Sequence, residues 1–262
     1  MNTSDPERTT LRRAVAHVDT RAIERNVGVQ RCRLTAVAEL CAVVKSDGYG
    51  HGCAEVARAA VAGGATRLAV VTVEEAALVA SLGLAVPVLL LAPVNDQEVA
   101  AAVETGAELT VWSPEQVTSV ARAAALLERT VKLHVKLDTG MGRFGARQQT
   151  EALAAIDAAA ATPQTEPAAV WTHFATADEV GDDYFPRQLA TFTEFVQTAR
   201  AQRPELLAHA ANSAALPGVW RSLMITWQPC AAAISALSSS AASLSFRRSS
   251  PSMRRPATAL SP

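Results

Sequence analysis

The strongest constraint on the fold of this chain is the alternation of short apolar runs with alanine-rich helical segments. The intervening segments, such as 74–82 and 185–202, have helical periodicity and capping residues. Strands that alternate with helices at this interval pair in parallel, and eight such units close a barrel. The sequence therefore predicts an α/β fold, a (β/α)8 TIM-type barrel whose eighth strand is missing. Seven runs indicate strands, at residues 42–44, 68–71, 86–91, 109–111, 131–137, 168–172 and 207–210.

The start of the chain is predicted to lie outside this alternation. Residues 1–13 are expected to form a flexible N-terminus, and the barrel domain is expected to span 14–216. Residues 14–18 indicate a further strand. Asp19 and the following threonine are predicted to cap an amphipathic helix.

Composition excludes several classes of function. The net charge of −1 creates no field that would attract nucleic acid or anionic lipid. No apolar run approaches the roughly 18 residues of a membrane span. The four cysteines have neither Cys-x-x-Cys nor zinc-site spacing, so we expect no metal and no disulfide framework. These features predict a cytoplasmic protein that acts on a small molecule and binds neither nucleic acid nor membrane.

The stretch around Lys45 carries the first chemical signal. Residues 42–44 are apolar and lead into this lysine, and the glycine-rich segment 46–52 follows. Lys45 therefore stands where a loop leaves a buried strand. Such a lysine can attack an aldehyde and hold it as a Schiff base, while glycine amides and the Tyr49 hydroxyl can face an anion. The competing interpretation is a lysine that merely extends into water from a strand end.

Polar side chains follow three other predicted strands. Because ligands of α/β barrels lie at the carboxyl ends of the strands, we expect these side chains to converge on one mouth. On residue type alone, Arg143 is also typical of a solvated loop and His173 of a barrel core. Asn212 and Ser213 are also typical of helix caps. The residues concerned are Arg143, His173, Asn212 and Ser213.

Four segments in this order resemble the alanine racemases. The first runs from Ala42-Val43-Val44-Lys45 to Tyr49-Gly50-His51-Gly52 and is similar to the lysine motif that binds pyridoxal phosphate in that family. The other three are Lys136-Leu137-Asp138-Thr139-Gly140-Met141-Gly142-Arg143-Phe144-Gly145, Thr172-His173-Phe174-Ala175-Thr176-Ala177-Asp178-Glu179 and Asn212-Ser213-Ala214-Ala215. The resemblance covers about residues 14–216.

The resemblance implies a role for each of these side chains. Lys45 is implied to form the internal aldimine with pyridoxal 5'-phosphate and to act as one of two catalytic bases. Arg143 is implied to hydrogen-bond the phenolic oxygen of the cofactor and to meet the substrate carboxylate, which suits a planar, permanently charged fork. His173 is implied to lie against the cofactor ring. The implied phosphate ligands are Tyr49, Asn212 and Ser213.

Lys136 aligns with a position that is carbamylated in some members of the family. A plain buried or paired lysine is an equal alternative at this position.

The function implied by the resemblance is the interconversion of L-alanine and D-alanine, which supplies D-alanine for peptidoglycan. The implied assembly is a homodimer. Two alternatives stay open: another amino-acid racemase or decarboxylase of the same barrel class, and a non-catalytic barrel protein that binds pyridoxal phosphate.

Residues 217–262 depart from the family pattern. They are rich in Ser, Ala and Arg, which predicts a disordered tail. The family's eighth-strand arginine and its C-terminal β domain, with the tyrosine that serves as the second base, are not found there. A shifted reading of residues 229–233 permits Val-Arg-x-Gly, so we interpret the change as a frameshift between about residues 216 and 224. On this interpretation the chain as written is an impaired or inactive racemase.

Overall fold

The computed structural model describes residues 15–179, 181–215 and 224–227, the last four by their backbone only. The predicted N-terminal segment 1–13 lies outside the described residues, as does the predicted tail apart from 224–227. The strands are β1 Leu40–Val43, β2 Arg67–Val70, β3 Val88–Leu90, β4 Glu108–Val111, β5 Val131–Lys136, β6 Thr165–Trp171, β7 Leu207–Ala211 and β8 Met224–Trp227.

The eight strands form a closed parallel barrel in chain order. This confirms the TIM-type α/β fold and the seven strands predicted from apolar runs. The expectation of a missing eighth strand is corrected, because β8 pairs in parallel with both β7 and β1. Two neighbouring strands supply hydrogen bonds to both of its edges, so four residues suffice to close the ring. So short a run within a Ser/Ala/Arg-rich segment gave no strand signal of its own.

Helices cover the outside of the barrel, and several begin at caps visible in the sequence. Asp19 accepts a hydrogen bond from the Ala22 amide, as predicted. Thr72 forms a capping box with Glu75, and Ser113 caps a helix that has proline in its first turn. The helices are α1 Thr20–Arg33, α2 Lys45–Gly50, α3 Cys53–Ala62, α4 Val73–Ser81, α5 Val99–Glu104, α6 Pro114–Leu126, α7 Gln149–Ala161 and α8 Tyr184–Gln202.

The strand predicted at 14–18 is wrong for its described part, because residues 15–18 have no strand structure. Val15 is 58% exposed and Val18 is 37% exposed. The ring offers them no partner, since β1 already pairs with β2 and β8. Apolar alternation alone cannot distinguish such a segment from a paired strand.

The described part of the barrel interior is divided into an apolar and a polar half. Cys41, Val43, Ala69 and Leu89 pack together on the side of β1 to β3. The other half contains buried polar side chains from β4 to β7, among them Glu108, Thr110, His134, Lys136 and His209. Arg67 of β2 is also buried and contacts Glu108. Within the described residues, no helix is both long enough and apolar enough to cross a membrane.

Candidate active site

A cavity opens at the carboxyl ends of the strands and brings four of the predicted site residues together. Lys45, Arg143, His173 and Asn212 all line it, so the predicted convergence on one mouth is found. The remaining lining is mainly apolar or aromatic: Val43, Val71, Leu91, Ala92, Phe144 and Trp171. A few polar groups that converge in an apolar cavity are typical of a small-molecule site.

The turn that follows Lys45 has an uncommon backbone conformation. Ser46, Asp47, Gly48 and Tyr49 have φ values of 53°, 52°, 60° and 57°, which is one turn of left-handed helix. For residues other than glycine this conformation costs roughly 1–2 kcal/mol each. The sequence suggested only a glycine-rich loop. A glycine is needed at position 48, where a Cβ would lie 2.8 Å from the Val56 side chain.

Hydrogen bonds within the segment partly offset this cost. The Gly48 amide donates to the Val44 carbonyl at 3.0 Å, and the Gly52 amide donates to the Asp47 carbonyl at 2.9 Å. The Asp47 carboxylate also accepts from the Cys53 amide at 2.8 Å, at the start of α3. Lys45 is therefore held between a buried strand and a strained turn that internal hydrogen bonds stabilise.

The loop that carries Arg143 is folded around the Asp138 carboxylate. This carboxylate accepts hydrogen bonds from the amides of Gly140 and Gly142 at 3.0–3.1 Å. The Tyr184 hydroxyl donates to the Gly140 carbonyl at 2.7 Å. Gly140 has a φ of +129°, and a Cβ there would lie 2.2 Å from the Tyr184 hydroxyl, so glycine is required.

Gln188 is a site-supporting residue that sequence reasoning missed. It is 1% exposed, and its side-chain oxygen accepts from the Ala175 amide at 2.9 Å. Its side-chain nitrogen donates to the Thr139 hydroxyl at 3.3 Å and to the His173 carbonyl at 3.4 Å. Gln188 thus joins the loops after β5 and β6. The available signal was a polar residue on the apolar face of α8.

Lys136 is fully buried beside the cavity, although it is not among the lining residues. Its Nζ lies 3.7 Å from the Phe144 ring centroid and 4.7 Å from that of Trp171. Within the described residues this nitrogen has no hydrogen-bond partner. Burial, reinforced by the Arg143 charge and opposed by Asp138, lowers the pKa of Lys136 to about 8. The neutral amine is therefore a minority form near pH 7 and the main form above about pH 8.

His173 is held neutral by its surroundings. Burial lowers the pKa of His173 to about 4, and the positive charges of Arg143, Lys136 and Lys45 act in the same direction. The cavity around this imidazole is therefore cationic, which favours an anionic ligand.

A chain of buried polar side chains crosses the barrel below the cavity. Arg67 contacts both Glu39 and Glu108, and Glu108 contacts His134 Nε2 at 2.8 Å. His134 Nδ1 lies 2.9 Å from His209 Nε2, and the Trp171 ring stacks on His209 at 5.4 Å. The sequence did not predict this network of buried polar side chains.

The proton positions in this network of buried side chains follow from the charge of Glu108. A carboxylate only accepts, so His134 donates through Nε2 and accepts at Nδ1 from His209 Nε2. Burial lowers the pKa of both histidines, which keeps them neutral.

These buried histidines predict a specific loss of stability in acid. The unfolded chain takes up protons near pH 6.5, whereas folded His173 stays neutral until about pH 4. The contribution of these histidines to stability is therefore complete above pH 6.5 and falls as the pH drops towards 4, by up to about 1.4 kcal/mol per pH unit for each neutral histidine. Urea unfolding between pH 7.5 and 4 measures this slope. His17→Asn, at an exposed histidine, should leave the slope unchanged, and a flat profile in the parent chain would contradict the prediction.

The three predicted phosphate ligands are placed differently from one another. Asn212 lines the cavity, but its side chain is already hydrogen-bonded. The Asn212 Nδ2 donates to the Phe174 carbonyl at 3.2 Å, and its Oδ1 accepts from the Ala215 amide at 3.1 Å. Tyr49 packs against the apolar side chains inside the barrel on the side of β1 to β3, and its ring centroid lies 5.9 Å from Lys45 Nζ. Tyr49 and Ser213 are not among the lining residues. Ligation at these positions stays a prediction.

Fold and site together define an α/β-barrel protein with a lysine-lined cavity at the carboxyl ends of its strands. A family model described as "Alanine racemase, N-terminal domain" matches residues 18–227. The chain belongs to the alanine racemase family. The match extends through β8, further than the resemblance recognised in the sequence, which ended near residue 216.

Individual relatives agree with this assignment. The alanine racemase of Desulforamulus reducens is 38% identical over 202 residues, which are 77% of this chain and 55% of that protein. The crystal structure of alanine racemase from Bacillus anthracis with bound L-Ala-P has a TM-score of 0.72 at 35% identity, over 80% of this chain and 55% of that one. Histidine racemase from Leuconostoc mesenteroides has a TM-score of 0.73 at 26% identity, over 84% and 59%. The chain spans little more than half the length of these proteins.

Proposed function

We propose that this chain catalyses, or forms the cofactor-binding part of a protein that catalyses, the interconversion of L-alanine and D-alanine with pyridoxal phosphate. The observation that carries the proposal is the placement of Lys45, Arg143 and His173 around one cavity in a chain of this family. A role in supplying D-alanine for peptidoglycan is part of the same proposal.

The residues present fit the cofactor. Its phosphate and the substrate carboxylate are anions, and the charges that lower the His173 pKa show that the cavity is cationic. The Trp171 indole nitrogen is buried without a described partner beside the cavity, and aromatic walls suit a planar ring. When bound, pyridoxal phosphate supplies an electron sink that makes the α-proton of an amino acid removable.

Each side chain then has a proposed task. Lys45 would hold the cofactor covalently through Nζ and, once the substrate amine has displaced it, would move the α-proton on its own face of the substrate. Arg143 orients the substrate carboxylate and the phenolic oxygen of the cofactor with its guanidinium fork. His173 would contact the cofactor ring as a neutral imidazole. Tyr49, Asn212 and Ser213 are the proposed phosphate ligands.

We propose that Lys136 is carbamylated. Its neutral Nζ attacks carbon dioxide, an N–C bond forms, and the nitrogen releases one proton to solvent. The product is a carbamate anion, which lies among the cations of the site. It replaces a buried amine that has no described hydrogen-bond partner.

Carbon-13 bicarbonate provides the test of carbamylation. We expect a carbamate resonance that grows between pH 7 and 9, because the pKa of Lys136 is about 8. Lys136→Arg should remove the resonance, and Lys132→Arg, at an exposed lysine of the same strand, should keep it. A resonance that survives Lys136→Arg would place the modification elsewhere.

The function itself is tested by incubating the purified chain with pyridoxal phosphate and L-alanine and measuring D-alanine by chiral chromatography. We expect cofactor-dependent D-alanine formation at a low rate, because residues 217–262 lack the tyrosine that the resemblance implies as the second base. Cofactor bound at Lys45 without racemisation of any amino acid would instead support the non-catalytic barrel alternative.

The second candidate is racemisation of a different amino acid. It is favoured by one observation, the structural similarity to a histidine racemase. Parallel incubations with L-alanine and L-histidine separate the two candidates, since the preferred substrate should be turned over at least about ten-fold faster. A difference of this size requires about 1.4 kcal/mol of discrimination.

The proposed setting is a homodimer in the cytoplasm. The described cysteines Cys32, Cys41 and Cys53 are free thiols, which suits a reducing compartment. Light scattering of the purified chain, with and without cofactor, measures the oligomeric state.

A further inference from the structure

Glu75 of α4 contacts the turn that follows Lys45, although it is 29 positions from Ser46, the residue that it contacts there. Its Oε1 accepts from the Ser46 amide at 2.5 Å. Its Oε2 accepts from the amides of Val71 at 3.0 Å and Thr72 at 3.3 Å. One carboxylate therefore joins the end of β2, the start of α4 and the turn that begins directly after Lys45.

The position of this carboxylate is fixed by its own helix. The Glu75 amide donates to the Thr72 hydroxyl at 3.2 Å, which completes the capping box. The contact with Ser46 is additional to the capping box and is not needed to begin α4. The capping box thus presents an anion to a strained neighbouring segment.

The Ser46 amide is the first backbone donor of the left-handed turn. Left-handed φ values at Ser46, Asp47 and Tyr49 are unfavourable in isolation, so outside contacts must select this conformation. The direction in which Lys45 leaves β1 depends on the peptide that joins it to Ser46. Releasing Ser46 would let this peptide rotate and would move the lysine.

We propose that Glu75 is a positioning residue for Lys45: its carboxylate holds the left-handed turn and thereby fixes where the lysine amine stands in the cavity. This inference deepens the proposed function, on which it rests for the role of Lys45. It assigns the capping box of α4 a second task.

Glu75→Gln is the decisive substitution. A carboxylate offers two acceptor oxygens, and here both face amide N–H groups. Glutamine keeps the size but has one acceptor, so its NH2 group must oppose an N–H on one side. We expect amide hydrogen exchange in residues 46–52 to become roughly ten-fold faster, the loss typical of a hydrogen bond to a charged group.

The position of Lys45 can be measured without cofactor, because the chain has only three lysines, Lys45, Lys132 and Lys136. Reductive methylation of the full chain followed by peptide mapping gives the labelling rate of Lys45 relative to exposed Lys132. In Glu75→Gln we expect this ratio to change by about three-fold or more. We also expect the concentration of pyridoxal phosphate that half-saturates Lys45 to rise about ten-fold.

Two matched variants separate positioning from helix stability. Thr72→Ala removes the cap hydroxyl but keeps the Glu75 carboxylate, so it should speed exchange in α4 and leave the Lys45 to Lys132 ratio unchanged. Glu74→Gln removes a neighbouring charge of the same first turn and should also leave the ratio unchanged.

The outcomes distinguish this inference from the proposed function. An unchanged ratio in Glu75→Gln, or an equal change in Thr72→Ala, would overturn the positioning role. If the ratio changes as expected but the parent chain does not bind pyridoxal phosphate at Lys45, the positioning role stands and the proposed function fails.

Discussion

Replacing Lys45 with arginine should abolish covalent cofactor binding and reduce racemisation by about 10⁴-fold or more, because arginine keeps the charge but has no amine that can attack an aldehyde. The measurement is borohydride trapping of pyridoxal phosphate followed by peptide mapping, together with the rate of D-alanine formation. In the parent chain the label should be on Lys45, which lines the cavity.

The other two lysines provide internal controls for this experiment. Lys132→Arg changes an exposed lysine on β5 and should leave both trapping and racemisation intact. Lys136→Arg should preserve the Lys45 label. Trapping on Lys136 with none on Lys45 would overturn the assignment of the reactive lysine, and undiminished racemisation by Lys45→Arg would overturn the proposed function.

The sequence predicted the site where local patterns determine position. An apolar run fixes where a strand ends, and the ends of parallel strands share one rim of a barrel. Lys45, Arg143, His173 and Asn212 could therefore be assigned to one cavity before their contacts were known. The Asp19 cap was predictable for the same reason, since its hydrogen bond spans only three residues.

The parts that the sequence did not predict depend on contacts between distant segments. The Glu75 capping box can be recognised from Thr72-x-x-Glu75, but its contact with Ser46 depends on where β1 ends beside β2. His134 and His209 meet across 75 residues. The eighth strand was missed for a related reason: its pairing is set by two neighbours rather than by its own four residues.

Glu108→Gln should destabilise the fold by about 3 kcal/mol, the largest loss of stability that we expect from a single isosteric change. Glu108 is 7% exposed and contacts both Arg67 and His134. Although burial opposes it, the hydrogen bond from His134 and the Arg67 charge lower the pKa of Glu108. Removing the carboxylate leaves a buried guanidinium with Glu39 as its remaining described acidic partner, and breaking a buried pair typically costs about 3–5 kcal/mol.

Urea unfolding of three variants at pH 7 tests this explanation. Glu104→Gln changes an exposed carboxylate at the end of α5 and should cost less than about 0.5 kcal/mol. Arg67→Met combined with Glu108→Gln should be less destabilising than Glu108→Gln alone, because no buried cation remains to be compensated. The parent chain should also lose stability below about pH 4.5, where the unfolded chain takes up a proton at position 108 before folded Glu108 does, and Glu108→Gln should lack that component. If the double variant were the less stable one, the cost would come from lost packing and not from an unpaired charge inside the barrel.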